Sequence, residues 1–335
     1  MSSTAFGAGT GGGAIAARPD EEHETDYQDS DSATASLSSS ILEYRAMHGR
    51  TYHSARHTTD YFTPNDGQQQ QSVDLTHHYL TLFLDGKLFV APLPEKMERI
   101  LDVGTGTGIW AIDFADEYPD VEVVGTDLSP MQPTWIPPNM KFEIDDAALA
   151  WTYPEGHFDF VHIRYLFGAI SDWLGLFKQA FRSLKPGGWI QDCEMDTTFY
   201  SDDGTLDGAS AMLKWNQLYR ESGAKTGASF NTIADNKQRQ YLEEAGFVDV
   251  QIKTFKIPVG GWALDKKLAE VGGIAQMVLL NDIEGYTLAL WHNVLMWPED
   301  EYRPFLDQLR KALQNKKIHS YLLLRYAYGR KPESA

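Results

Sequence analysis

Residues 100–108 read Ile-Leu-Asp-Val-Gly-Thr-Gly-Thr-Gly, and Asp127 closes a second apolar run nineteen residues further on. Residues 100–103 have the pattern of a short buried strand. Gly104, Gly106 and Gly108 carry no Cβ, so a ligand can approach the backbone there. Residues 109–118 continue with helical spacing and stop at Pro119. Residues 121–126 read as the next strand, with Asp127 at its carboxyl end. A strand–loop–helix–strand unit in this order binds nucleoside-bearing ligands at the strand tips. A carboxylate at the second tip can accept hydrogen bonds from both ribose hydroxyls.

The glycine spacing separates two ligand classes. A dinucleotide fingerprint, G-x-G-x-x-G, would place its third glycine at position 109, which is Ile109. The loop is instead G-x-G-x-G, with Asp102 two residues before the first glycine. It resembles the first motif of the S-adenosylmethionine-dependent methyltransferases with a Rossmann-like fold. The resemblance implies a role for each matching position. Asp102 orients the loop and the amino-acid end of the cofactor. Gly104, Thr105, Gly106 and Gly108 turn backbone amides toward the ligand. Asp127 takes the ribose, with Leu128 against the adenine. Asp146 receives the adenine amino group, Ala147 supplies backbone beside it, and Asp145 is the disfavoured neighbour. Arg164 ends the fourth strand and holds a cofactor carboxylate, holds a substrate carboxylate, or pairs with Asp145.

The chain has 335 residues, 42% of them hydrophobic, which suffices for one large or two smaller cores. A formal charge of −18 argues against a nucleic-acid footprint. A single cysteine, Cys193, excludes an intramolecular disulfide and fits a reducing compartment. No apolar run approaches a membrane span and no secretory leader is evident, so no membrane insertion is expected. Residues 1–40 hold almost no large apolar side chains and read as a disordered acidic tail.

Residues 41–97 form an N-terminal helical cap, with helical character at 41–48 and a helix at 75–84 capped by Asp74 or Ser72. The methyltransferase domain occupies 98–332. Its further strands are read at 141–144, 158–163 and 189–193, the last entered through Lys185-Pro186-Gly187-Gly188, after a helix at 174–184. Residues 197–240 read as mostly helical, and 247–255 and 319–328 as a closing antiparallel pair. The fold class is therefore α/β: a seven-stranded methyltransferase sheet whose last strand is antiparallel. An insert at about 260–315, with Trp262, Trp291, His292 and Trp297, precedes that strand. Insert and cap are expected to form a lid over the site. Most of those aromatics are expected in a second layer of core rather than against a ligand.

The flanks narrow the resemblance. Tyr44-Arg45, Gly49-Arg50, Tyr52-His53, Tyr61, Pro64-Asn65-Asp66, Asp74-Leu75 and His77-His78 resemble the start of the LaeA-like fungal methyltransferases. Pro258-Val259-Gly260-Gly261-Trp262, Gly285-Tyr286 and Tyr328-Gly329-Arg330-Lys331-Pro332 match the far end. The resemblance implies S-adenosylmethionine as cofactor and a role in secondary metabolism and development, in cytoplasm and nucleus. It also implies, as for some members, a velvet-family regulator or a second methyltransferase as partner, while the aromatic-rich extension and insert suggest self-association as an alternative. Two segments depart from the pattern: the Gln68-Gln69-Gln70-Gln71-Ser72 run, and Gln191 where an acid is common.

Methyl transfer from a sulfonium is an in-line displacement that alignment alone can accelerate strongly, so no catalytic side chain is assigned. His162 is read as a satisfied core histidine, and Asp192 and Glu194 as solvated strand-tip carboxylates. His53 and His57 are four apart, but no Cys or HExxH pattern supports them as ligands, and no metal is assigned. Two alternatives to a regulatory methyltransferase stand: a biosynthetic small-molecule O- or N-methyltransferase, and a cofactor-binding scaffold. A closed aromatic pocket would favour the small molecule, an open acidic groove a protein acceptor.

Overall fold

The computed structural model describes residues 44–333, so the expected disorder at 1–40 lies outside the described residues. A hairpin of β1 (Arg45–Met47) and β2 (Arg50–Tyr52) leads into α1 (Gly67–Phe83). The main chain then alternates: β3 (Arg99–Val103), α2 (Ile109–Glu117), β4 (Glu122–Asp127), β5 (Met140–Ile144) and β6 (Phe158–Arg164). There follow α3 (Trp173–Ser183), β7 (Leu184–Met195), α4 (Ser210–Thr226), α5 (Thr232–Asp235), α6 (Gln238–Ala245) and β8 (Val248–Pro258). The insert is α7 (Lys266–Asn281), α8 (Ile283–Ala289), a π-helical stretch (Leu290–Leu295) and α9 (Glu299–Leu313), before β9 (Tyr321–Arg330).

Seven strands form one sheet in the order β5-β4-β3-β6-β7-β9-β8. The first five are parallel, and β9 runs antiparallel to both β7 and β8. The expected sheet is present. From β3 the chain winds outward to β4 and β5, then returns to the other side of β3 as β6. That reversal opens a crevice at the carboxyl ends of β3, β4 and β6, where open α/β sheets bind ligands. Lys185-Pro186-Gly187-Gly188 is a bulge inside β7 rather than a turn ahead of it, because Leu184 already pairs with Phe158.

The N-terminal extension departs from expectation in two places. Residues 45–52 form a hairpin, not a helix: His48 and Gly49 have φ of 51° and 78°, as a two-residue turn between twisted strands requires. The helix expected at 75–84 starts eight residues earlier, at Gly67, and its cap is Asp66, which accepts from Gln69 N at 3.2 Å. The glutamine run has no apolar periodicity but is well suited to helix. Its side chains dock the helix: Gln68 Nε2 donates to Asn281 O, and Asn281 Nδ2 donates to Ser72 Oγ at 2.9 Å. The other departure, Gln191, is wholly buried and accepts from Val90 N and Ala91 N at 2.8 and 3.1 Å, fixing the approach to β3.

A guanidinium adds an ionic tie between extension and insert. Arg50 donates to both oxygens of Asp66, and to both oxygens of Asp282 at 2.8 Å. Asp282 is fully buried and also caps α8 through Gly285 N. Of the four insert aromatics only Trp291 is fully core: it is 0% exposed and stacks on Phe305, with the half-buried Trp297 edge-on against it, while Trp262 and His292 are also half-buried.

Candidate active site

Asp102 organises the glycine loop from behind. Its Oδ2 accepts from Thr105 Oγ1 at 2.6 Å, and its Oδ1 lies 2.7 Å from His162 Nδ1. His162 lies flat on Trp110, ring centroids 3.6 Å apart, and burial lowers its pKa. It is the satisfied core histidine the sequence suggested. The loop amides are less available than expected. Thr105 N donates to Thr126 O, Gly108 N to Thr105 O, and Gly106 N to Asp127 Oδ2. Gly104, Thr105 and Gly106 line the pocket, whereas Asp102 and Gly108 stand behind its wall. A Cβ on Gly108 would run into the Phe142 ring, so that glycine serves packing rather than ligand approach.

Gly104 is constrained by its backbone conformation. Its φ is +68°, and a Cβ there would overlap Leu166 Cδ2. Leu166 Cδ2 ends a side chain that can turn away, so the positive φ is what disfavours a Cβ at Gly104. Gly104→Ala should therefore cost about 1–3 kcal/mol of stability through backbone strain, measured by denaturant unfolding. Unchanged stability would mean that the loop leaves the positive-φ conformation without loss.

Asp127 reaches the pocket as expected. Its carboxylate accepts from Gly106 N at 2.8 Å and Ser129 N at 3.0 Å, leaving acceptor capacity toward the cavity. Burial pushes its pKa up to about 6. Ribose hydroxyls would donate to the ionised form, so cofactor affinity should be flat above that value and weaken up to about tenfold per pH unit below it. Titration calorimetry across this range checks it, and Asp127→Asn should remove the slope. For folding of the free protein the sign is opposite: ionising a carboxyl whose pKa is raised costs stability as pH climbs from the ordinary carboxylate range through about 6.

Leu128, Asp146 and Ala147 also line the pocket. Burial would raise the Asp146 pKa, but bonds from Thr59, Ala148 and Thr58 outweigh it and hold the group below its usual value. The backbone N–H and hydroxyl of both Thr58 and Thr59 point at this carboxylate, at 2.7–3.1 Å. Asp146 thus ties the extension across the β5 tip, and an adenine amino group would join or displace those donors. Asp145 lines the pocket too, but Arg164 does not pair with it. Arg164 Nη1 lies 3.2 Å from His77 Nδ1.

Beyond Arg164 the cavity turns apolar. The extension supplies Tyr61 and Tyr79, α4 supplies Trp215 and Tyr219, and the insert supplies Val278 and Tyr286. The cavity measures about 210 Å³. Tyr165, at the tip of β6, has φ +59° and hydrogen-bonds Tyr79 through its hydroxyl at 2.8 Å. Asp192 and Glu194 are not solvated: both are 0% exposed. Glu194 accepts from Leu166 N and Phe167 N, and Asp192 accepts from Gln238 Nε2. Burial lifts Asp192 to about 7 and, together with its neighbour's charge, lifts Glu194 well above the usual range. The pair keeps a proton near neutrality and shapes the β6 tip rather than offering a base.

His53 and His57 stand on a loop, ring centroids 6.2 Å apart, and His53 Nε2 accepts from Tyr61 N. Among the described residues no cluster of three His, Cys, Asp or Glu side chains could hold a metal ion. Reasoning from the glycine motif missed the apolar wall altogether. Tyr61 and Tyr286 lie within segments that carry the LaeA-like resemblance, and that was their only signal.

The glycine cradle and the Asp127 carboxylate, with acceptor capacity facing the cavity, fit a nucleoside cofactor. A family model described as a methyltransferase domain matches residues 75–252. The methyltransferase pytC of Aspergillus terreus is 37% identical over 311 residues, covering 91% of this chain and 94% of its own. The secondary metabolism regulator LAE1 of Cochliobolus heterostrophus is 35% identical, covering 85% and 94%. The protein-methionine methyltransferase laeA of Emericella nidulans is 32% identical, covering 87% and 77%. Matched along nearly its whole described length, the chain belongs to the LaeA-like S-adenosylmethionine-dependent methyltransferases.

Proposed function

We propose that this enzyme methylates a small, largely apolar acceptor and acts in fungal secondary metabolism. The observation that carries the reading is the apolar end of the pocket, walled by Tyr61, Tyr79, Trp215, Tyr219 and Tyr286. S-adenosylmethionine, when bound, supplies a methyl group already activated on a sulfonium. Asp127 would take the ribose, Leu128 would lie against the adenine, and Asp146 and Ala147 would border its amino edge. Gly104 and Gly106 would keep the backbone close to the ligand. The tyrosine-lined wall would exclude water and hold the acceptor atom in line with the methyl, the arrangement from which such a displacement gains most. The pytC relative, matched over nearly its full length, supports the methyltransferase activity in this reading. Incubating the protein with labelled cofactor and host extract, then separating protein from small molecules, tests it. Label confined to protein would overturn it. Calorimetry should show S-adenosylmethionine binding and no NAD binding.

A regulatory reading is favoured by the relatives named as secondary metabolism regulators. In it the chain works in cytoplasm and nucleus, joined to a velvet-family regulator, a second methyltransferase or another copy of itself, with scaffolding as its extreme form. Leu264 and Met296 of the insert segment are 103% and 70% exposed, apolar surface that a partner would cover. Among the described residues no helix is long and apolar enough to cross a membrane. Light scattering and affinity capture test this reading; a strict monomer that captures neither partner would remove it.

A further inference from the structure

Among the described residues, Arg164 is the only lysine or arginine lining the pocket, and no carboxylate lies within ion-pair distance of it. A recessed guanidinium without an anion is costly unless a ligand completes it. Its side-chain hydrogen-bond partner is unusual. Arg164 Nη1 lies 3.2 Å from Nδ1 of His77, on α1, and His77 Nε2 lies 2.9 Å from Asp113 Oδ2, on α2. Arginine only donates, so Nδ1 is the acceptor and Nε2–H donates to Asp113. His77 is 3% exposed, and burial favours this neutral form. Three elements thus fix an acceptor nitrogen against the guanidinium and leave its other donors for the cavity.

We propose that Arg164 is the counter-ion of a carboxylate bound in the pocket, and that His77, oriented by Asp113, is the positioning residue that holds it there. The carboxylate belongs either to the amino-acid end of the cofactor or to an acidic acceptor. The proposal rests on the cofactor reading above.

Calorimetry on the full chain separates the two sources. In the cofactor arm, S-adenosylhomocysteine is compared with 5′-methylthioadenosine, which has the same nucleoside and sulfur but no carboxylate. In the acceptor arm, benzoate is titrated into protein saturated with S-adenosylhomocysteine. In one arm Arg164→Met should cut the carboxylate-dependent affinity about ten- to hundredfold, with His77→Leu losing most of the same. His77→Asn, whose Oδ1 still accepts from the guanidinium, should restore it. A wild type with no preference between the nucleosides and no benzoate binding overturns the proposal, as does Arg164→Met behaving like wild type in both arms. His77→Asn as weak as His77→Leu overturns the positioning role. Binding of 5′-methylthioadenosine by every variant reports an intact nucleoside site. If the wild type binds neither nucleoside, the cofactor reading fails instead.

Discussion

Replacing Arg50 with methionine should destabilise the protein by about 3–5 kcal/mol, the cost of leaving a buried charge without its partner. Asp282 is 0% exposed, so water cannot take over there from the lost guanidinium, whereas Asp66, 24% exposed, loses less. Asp282 would keep only its capping bond from Gly285 N, and Asp66 its bond from Gln69 N. The damage should spread beyond the pair, because this contact joins the hairpin, the start of α1 and the start of α8. The Arg50→Met/Asp282→Asn double variant should recover much of the loss by removing the stranded charge. Denaturant unfolding of the three variants measures it. A single variant within 1 kcal/mol of wild type, on the order of an exposed pair, would show that the contact is not closed to water.

Replacing Asp127 with alanine should lower cofactor affinity at least tenfold. Two hydrogen bonds from ribose hydroxyls to a charged acceptor are each worth about 1.5–3 kcal/mol in favourable cases. The structure adds a consequence that a strand-tip carboxylate would not suggest. Gly106 N and Ser129 N lose their acceptor as well, so the melting temperature should fall together with affinity. Asp127→Asn keeps one carbonyl acceptor and should lie between wild type and alanine in both measurements. Unchanged affinity in a folded alanine variant would mean that the ribose is held elsewhere.

The two regions differ in how much the sequence disclosed. The strand at Arg99–Val103 lies within one residue of its apolar run, and Asp127 ends β4 as expected. Asp127, Leu128, Asp146, Ala147 and Arg164 all line one cavity although they come from three separate strand tips and their loops. Parallel strands buried on both faces write themselves as continuous apolar runs, so their order is readable without contacts. The glycine loop is equally local, since it answers to backbone angles within a few residues.

The N-terminal extension had no such local signature. Arg45–Met47 could have been helix by composition. It became strand by pairing with Arg50–Tyr52 across a positive-φ turn and by the anchoring of Arg50 on Asp282, 232 residues away. The polar glutamine run became helix with a neighbour 213 residues away, at Asn281. Asp192 and Glu194 read as solvated tips until α6 and the β6 tip covered them. The sequence by itself determined the sheet, the cofactor loop and the family, because these rest on periodicity and on residues close in the chain. The sequence marked the extension and insert as a lid, but the tertiary structure alone decided how they join, the apolar wall of the pocket and the His77–Arg164 contact. Those depend on long-range pairing and desolvation, which neither propensity nor spacing encodes.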